Sequence, residues 1–564
     1  MKQRRIATIG FFLWSAMNFS TAQNPFPQNL FQSPVPIRMM VAGSFGEPRD
    51  GHFHTGLDFT TAKTYGIPAL AAADGYVSRV KVSAYGYGNA VYIAHASGYS
   101  TVYCHLEKFS PALAAWVKQQ QNAKRSFEVD LFPSVNQFRF SQGDTVGLIG
   151  NSGQSSAVHL HFEIRDSKTE TPLNPWLFGI IPPDSIPPRL TGCWIYPRSL
   201  CCGYGGKEFF PASQNHDTIL VADELFGVGI ECADTMANNN ENSYGVYTLR
   251  IELDSDVVYS FQCQRAWFGD NHAAAEMDFC EKKNSGKLIY RCFRLPGDAA
   301  ALEESNSTKG IITLMDDAVH LLRCITADAN GNTTTATWFI RHIEKDVIDE
   351  YLMPDGIFLN HNAAKSVPGI GIQMEFPAGA VWDDLQMELK YNEGHSGIYS
   401  NDYFISPYCT PLAKSFKLKI LPLNNLATSR VKKAVIVYRD ANDIEHGKTT
   451  GIDGNYFWCN ATGFGEYYVK VDEEAPSILA VNCTNGKSMA KEDFLRFEID
   501  DNLSGIKTYR GTIDGEWKLF AYDAKTGWLT YEFEDAPSAQ THHVTITVAD
   551  DVGNIRTLSM NFLR

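Results

Sequence analysis

What the sequence withholds narrows the field first. Past its N-terminal stretch, no run in the 564-residue chain is apolar for long enough to cross a bilayer as a helix. Positive charge is scarce: 49 Lys and Arg face 64 Asp and Glu, for a formal charge of −15. A chain this acidic is repelled by phosphate backbones and by anionic lipid, which argues against nucleic acid or a membrane surface as its main partner. Cysteine is sparse as well. The 12 residues run from Cys104 to Cys483, none of their spacings matches a thiolate metal site, and Cys201 and Cys202 are adjacent. Any metal chemistry must therefore come from His and carboxylates.

What is present is ordinary for a folded protein, with 44% hydrophobic and 20% charged residues. The length exceeds what one core can organise and predicts about three to five domains. At the N-terminus, Lys2, Arg4 and Arg5 precede an apolar stretch from Ile6 to Met17, and Ser20-Thr21-Ala22 supplies small residues. This pattern predicts a secretory signal peptide over 1–22, cut after Ala22. No Cys stands at that point, which argues against a lipid anchor. The mature chain is expected to be exported, to the periplasm or cell envelope, with no membrane anchor. Such a compartment permits disulfides. The expectation is that a few cysteines pair within the central β-domains and several stay as buried thiols.

Residues 23–185 are rich in Gly and Ala and in short β-like runs: Gly75 to Val82, Ala90 to His95, Ser100 to His105, Thr145 to Gly150 and His159 to Arg165. Turn signals such as Gly86-Tyr87-Gly88-Asn89 and Gly150-Asn151-Ser152-Gly153 separate them. The fold class is mainly β, with an antiparallel sheet or barrel-like first domain. One helix interrupts it: Ser110 is a candidate N-cap, Pro111 fits the first helical position, and Leu113, Trp116 and Val117 recur at helical spacing. It opens an inserted segment over about 107–140 that is a candidate to shape or cover a groove.

The cluster Pro182-Pro183-Asp184-Ser185-Ile186-Pro187-Pro188 reads as a stiff linker and predicts that 23–185 is a separable unit. An internal repeat follows. Asp184…Pro188 matches Asp472…Pro476, Asp223…Gly227 matches Asp500…Gly505, and Asp328-Ala329-Asn330-Gly331-Asn332 matches Asp550-Asp551-Val552-Gly553-Asn554. Two immunoglobulin-like β-sandwiches are expected at 186–345 and 473–564, with a third β-sandwich at 346–472.

Three segments of the first domain carry the chemistry: His54-Thr55-Gly56-Leu57-Asp58, Tyr103-Cys104-His105-Leu106 and His159-Leu160-His161-Phe162-Glu163. Strand alternation puts His159, His161 and Glu163 on one face, above a floor of Leu160, Phe162 and Ile164. The same rule turns Tyr103 and His105 one way and Val102, Cys104 and Leu106 towards the core. A catalytic zinc site takes three protein ligands and keeps one open position. His54, Asp58 and one imidazole of the His159/His161 pair, taken as His161, form such a set. Periodicity alone does not fix which of the two histidines binds. His105 and the remaining imidazole are left close by for proton transfer or oxyanion stabilisation. His52 lacks a carboxylate at the spacing His54 has, and His95 suits a structural place at a strand end. Glu163 either orients a ligand or is solvated. Tyr103 either donates to substrate or is a half-buried strand residue.

The combination resembles the lysostaphin-type, or LytM-type, zinc metallopeptidases, which cleave peptidoglycan peptides. Their pattern is H-x-G-x-D, then Y-x-H-L, then a G-x-[ST]-G loop leading to H-L-H-F-E. The chain supplies each part, together with Phe45-Gly46, Gly66-Ile67-Pro68, Ala73-Asp74-Gly75 and Gly88-Asn89. The resemblance implies that His54, Asp58 and His161 bind Zn²⁺ and that His105 and His159 are the catalytic histidines. It implies a duplicated-hybrid-motif fold, and hydrolysis of peptidoglycan cross-links by a metal-activated water. It covers about 45–170. The chain departs from the pattern in the length of the insertion and in Gly153-Gln154-Ser155-Ser156-Ala157-Val158, which lacks the usual Gly-Pro before the first His. The later β-domains resemble spacers or binding modules for the wall or a protein partner. A rival reading is a catalytically weak wall-binding or regulatory protein that acts through those domains; retention of all five site residues speaks against it.

Overall fold

Period-2 alternation and Gly turns produce a mostly β molecule, seen here in a computed structural model that describes residues 26–564. Residues 50, 199–206, 213–217, 237–238, 267–271, 299–307, 345–355, 424–425, 441, 535 and 538 are outside the description. The expected signal peptide at 1–22 and the adjacent Cys201 and Cys202 also lie outside the described residues.

The strands expected in the first domain form at Gly75–Val82, Ala90–Ala94, Tyr99–Cys104, Thr145–Ile149 and His159–Asp166. Most join one sheet whose order is Val41–Gly43, Leu57–Thr60, His159–Asp166, Tyr99–Cys104, Ala90–Ala94, Gly75–Val82, Val129–Leu131. The sheet is open at both ends, so the barrel-like expectation gives way to a broad antiparallel sheet. A smaller three-stranded sheet, Pro68–Leu70, Thr145–Ile149 and Leu106–Phe109, lies beside it.

The inserted segment begins with a helix, Pro111–Lys124, that follows Ser110 as expected and buries Leu113, Val117 and Gln121 at four-residue spacing. It continues into strands Val129–Leu131 and Arg139–Phe140, and both pair with Gly75–Val82. That strand is at the opposite edge of the sheet from Leu57–Thr60. The insertion therefore extends the remote edge and does not lie over the histidine strands. It reaches them only through the loop after Val82, where Glu128 Oε1 accepts from the Ala84 N–H and the Ser83 hydroxyl (2.9 and 3.0 Å).

Residues 189–342 form two further sheets. Arg189–Pro197 pairs with Leu225–Met236 in one, and Ile219–Val221 runs parallel to Thr333–His342 in the other. The last part of the chain repeats the plan: Ser477–Ala480 pairs with Phe494–Asp500, and Lys487–Ser488 runs parallel to Ile555–Leu563. Between them, residues 357–471 build a six- and a five-stranded sheet around Phe376, Phe416 and Phe464.

The proline-rich linker does not separate two bodies. One apolar core runs from Phe45, Leu57 and Phe162 through to Tyr244, Phe261 and Tyr290. Polar contacts follow the same seam: Tyr244 Oη donates to the Val41 carbonyl (2.7 Å), the Gly245 N–H to Ser44 Oγ (3.2 Å) and Asn174 Nδ2 to the Cys263 carbonyl (2.9 Å). The expectation of a separable first unit fails because the linker loops out while the strands it joins are packed together. The disulfide likewise differs from expectation. Cys280 and Cys409 join the second sheet region to the third, and the eight other described cysteines are buried thiols.

Candidate metal centre

The site is assembled by sheet register. His161 lies opposite Asp58 on one side and opposite Cys104 on the other. Residues paired across an antiparallel sheet point to the same face. Asp58, His161 and Cys104 therefore share a face, while Tyr103 pairs with Phe162 and points into the main core. The alternation read from Tyr103-Cys104-His105 is thus inverted. Tyr103 is fully buried, its ring edge-on to Phe162 at 5.4 Å, and its hydroxyl accepts from the Ala72 N–H (2.8 Å). Cys104 sits in a small cluster with Ala90, Tyr92 and Val102. His105 reaches the site by a different device: its φ is 61°, so the chain turns out of the strand there. A left-handed conformation at a non-Gly residue is uncommon and marks a position held by its surroundings. The holders are Tyr87 O, which accepts the His105 N–H (3.0 Å), and Ser152 O, which accepts from Nδ1 (2.8 Å).

Three side-chain atoms converge. His54 Nε2 lies 3.1 Å from Asp58 Oδ1 and 2.9 Å from His161 Nδ1, and His161 Nδ1 lies 2.9 Å from Asp58 Oδ1. The other end of each group is occupied. His54 Nδ1 donates to the Ser44 carbonyl (2.7 Å), His161 Nε2 to Glu163 Oε1 (2.8 Å), and Asp58 Oδ2 accepts from Arg49 Nη2 (2.6 Å). These outer bonds place the ring protons away from the centre, so three lone pairs face one another. Ligands at about 2.0–2.1 Å around a tetrahedral zinc sit about 3.3 Å apart, close to the spacing seen. The donor set, two imidazoles and one carboxylate with each ligand braced from outside, fits Zn²⁺. Gly56 is required by the same closeness: a Cβ there would collide with the Phe162 carbonyl and come within 3.0 Å of His161 Cε1.

Glu163 is fully buried, so it orients a ligand and is not solvated. It collects Thr55 Oγ1 (2.7 Å), Tyr87 Oη (2.5 Å) and His161 Nε2 (2.8 Å) on one oxygen and Arg165 Nε (2.5 Å) on the other. Burial alone would raise its pKa, but Arg165 and His161 hold it well below the usual carboxylate range. Burial works against a charged His161 too, yet Asp58 and Glu163 prevail and raise it to about 9 in the metal-free protein. Burial lowers His54 to about 4 and His105 to about 3, so both stay neutral at physiological pH.

His105 and His159 flank the centre with ring centroids 4.8 Å apart. His159 Nδ1 is anchored on the Ala157 carbonyl (2.9 Å), and its Nε2 lies 3.5 Å from Asp58 Oδ1. All five residues singled out in the sequence thus meet. His95 does not; it ties the Asp74 carbonyl to Thr101 Oγ1, both at 2.8 Å. His52 is exposed and pairs across a short hairpin with Arg49. Sequence reasoning missed Arg49, Thr55, Tyr87 and Arg165. Of these only Arg165 carried a signal, being next after Glu163 on the histidine face by the alternation rule.

Fold and site define a metallopeptidase-type centre on an antiparallel sheet. The N-terminal part of the chain is a peptidase family M23 domain: residues 52–125 match the family model, and residues 357–472 match the model of the Zu5-like domain. The DD-carboxypeptidase/endopeptidase Mpg of Neisseria meningitidis serogroup B is 36% identical over 22% of this chain and 22% of its own length. The peptidoglycan DD-endopeptidase ShyA of Vibrio cholerae is 31% identical over 24% of this chain and 27% of its own. The chain thus spans about a quarter of these relatives or less. Among solved structures, the catalytic domain of the prophage-encoded M23 protein EnpA from Enterococcus faecalis is 26% identical over 27% of this chain and 94% of that chain, with a TM-score of 0.19. No helix among the described residues is long and apolar enough to cross a membrane.

Proposed function

We propose that the protein is an exported zinc metalloendopeptidase that hydrolyses peptide cross-links of peptidoglycan. The observation that carries the reading is the convergence of His54 Nε2, Asp58 Oδ1 and His161 Nδ1 within 3.1 Å, each braced from behind. Zinc held there would polarise a scissile carbonyl and lower the pKa of water towards about 7. The chain's own part is positional. Ser152 O fixes the His105 ring through Nδ1 and Ala157 O fixes that of His159, which leaves each Nε2 to exchange a proton or to donate to a developing oxyanion. His105, neutral at working pH, is the better placed to accept a proton. The substrate class rests on the names of the M23 relatives, and export on the N-terminal sequence pattern. We read the chain as 23–185 peptidase, then β-domains at 186–345, 346–472 and 473–564 that hold the peptidase to the wall or to a protein partner. The test is metal analysis beside digestion of purified peptidoglycan, with mass spectrometry of the released peptides. A protein that binds zinc stoichiometrically yet releases no cross-link fragment would defeat the reading.

A further inference from the structure

Both repeated β-regions carry a feature that the peptidase reading does not use. In each, three Asp carboxylates converge, one oxygen from each lying within 4.8 Å of the others: Asp184, Asp234 and Asp328 in the first, Asp472, Asp501 and Asp550 in the last. Strand register makes the two sets equivalent. Arg189 lies opposite Ala233, and Ser477 lies opposite Asp500. Asp184 and Asp472 stand at the same distance before the first member of each pair, and Asp234 and Asp501 directly follow the second. Register thus equates Asp501 with Asp234, and the sequence match of Asp500 to Asp223 is coincidental.

The third member is held identically in both. Asp328 and Asp550 accept the backbone N–H of Asn332 and Asn554 (2.8 and 2.7 Å) and, on the other oxygen, the amide of the same Asn (2.7 and 2.6 Å). That amide also reaches the backbone carbonyl of Asp184 or Asp472 (3.3 and 3.0 Å). The entry of each domain is thereby brought to the D-x-x-G-N turn.

In the last domain the cluster has unused oxygens. Asp501 Oδ2 accepts from the N–H groups of Leu503 and Gly505 (3.2 and 2.7 Å), but its Oδ1 is buried with no hydrogen-bond partner. Ser504 sits between the two carboxylates, its N–H donating to Asp472 Oδ2 (3.2 Å). The residue is only 8% exposed, and its hydroxyl, too, is buried without a partner. Among the described residues no Lys or Arg forms an ion pair with Asp472, Asp501 or Asp550; the Lys433 ammonium donates instead to Asn554 Oδ1 (2.5 Å). Three clustered carboxylates repel one another, and a buried oxygen left unpaired is costly. One hard cation with oxygen ligands answers both demands. An all-oxygen set with no imidazole or thiolate selects against zinc.

The structure assigns a divalent-cation site of calcium type to Asp472, Asp501, Asp550 and the Ser504 hydroxyl. Asp472 directly follows the strand Gly465–Val471 of the preceding domain, so the ion would cross-link the junction between the last two domains. The assignment does not depend on the peptidase reading.

The test uses the full-length, zinc-loaded protein stripped of calcium with EGTA. Calcium titration by calorimetry and thermal unfolding with and without calcium are measured for wild type, Asp501→Asn and Ser504→Ala. Wild type is expected to bind Ca²⁺ and to unfold at a higher temperature with it. Asp501→Asn should weaken one binding event at least tenfold and lose that share of the thermal shift. Its calcium-free stability should be equal or higher, because a repelling charge has gone. A merely structural Asp501 would instead lower stability in both conditions. Ser504→Ala, which leaves the carboxylates intact, should weaken binding by a smaller factor and covers the case in which Asp501→Asn does not fold. No calcium binding by wild type, or isotherms unchanged in either variant, would overturn the assignment.

Discussion

Replacing Glu163 with Gln tests the site more sharply than deleting a ligand, because Glu163 touches no metal and still decides how one is held. The carboxylate is fully buried and takes four donors. An amide keeps the shape, removes the charge and turns an NH₂ towards groups that themselves donate. Two effects follow. His161 loses the partner that fixes its ring and its tautomer, and losing such an outer contact typically costs 10–100-fold in metal affinity, or about 1.4–2.7 kcal/mol. Arg165, with a side chain 6% exposed, loses its buried counter-charge. Breaking such a pair from one side costs about 3–5 kcal/mol. The Glu170 carboxylate at 3.3 Å and the Tyr92 ring at 5.4 Å remain, which favours the lower end. At roughly 2–4 °C per kcal/mol for a domain of this size, melting should fall by at least about 6 °C. The assay is zinc competition against a chelator, beside thermal unfolding. The double variant Glu163→Gln, Arg165→Met separates the effects. It should recover much of the stability, because no lone charge is left buried, and none of the zinc affinity. If Glu163→Gln alone bound zinc within twofold of wild type, the claim that this carboxylate orients His161 would be wrong.

Other outcomes follow from the same geometry. Asp58→Ala or His161→Ala should abolish stoichiometric zinc by elemental analysis, whereas His105→Ala or His159→Ala should keep it and lose about 10²–10⁴-fold in turnover; zinc lost from His159→Ala and kept by His161→Ala would reverse the assignment. A fragment ending at 185 should be poorly folded, since the cut exposes the apolar seam from Phe45 to Phe261, and a 23–185 fragment melting like the full chain would refute this. Metal-free protein should lose stability as pH falls from about 6.5 to 4. His54 and His105 have folded pKa values lowered to about 4 and about 3, so unfolding takes up protons across that window, at up to about 2.7 kcal/mol per pH unit for two groups. His161 runs the other way: raised to about 9, it contributes stability that is whole below about 6.5 and fades as pH rises through 9. Denaturant midpoints from pH 4 to 10 check both signs.

The five site residues were legible because two independent regularities coincide on them. His159, His161 and Glu163 obey strand alternation, and His54 and Asp58 frame a Gly whose missing side chain the sheet requires. The failures have equally local causes. Alternation misplaced Tyr103 and Cys104 because His105 leaves the strand through a positive φ, which no periodicity encodes. Arg49 and Tyr87 act from turns, where sequence carries no face information. The linker was legible as prolines, but its looped path was not, because that depends on Tyr244 and Asn174 finding partners far along the chain. The Asp223 match shows the same limit: only strand pairing reveals that Asp234 is the true counterpart of Asp501.

The last domain returns to the first. Lys118 meets Glu534 at 2.6 Å, and the Lys525 ammonium reaches the Asn151 carbonyl. A cavity of about 230 Å³ between Tyr85, Phe127, Tyr509 and Tyr522 runs along the contact. The polypeptide is therefore a closed ring of domains, and closure is an intramolecular equilibrium. Exposed ion pairs contribute about 0–1 kcal/mol each. Tethering supplies an effective concentration in the millimolar range for short links, enough to hold such a contact without making it permanent. Asn151 precedes Ser152, whose carbonyl sets the angle of the His105 ring. A force applied to the far end of the chain would thus arrive, through one peptide bond, at the imidazole beside the reacting centre, and the ring would open at its weakest joint before any sheet is disturbed.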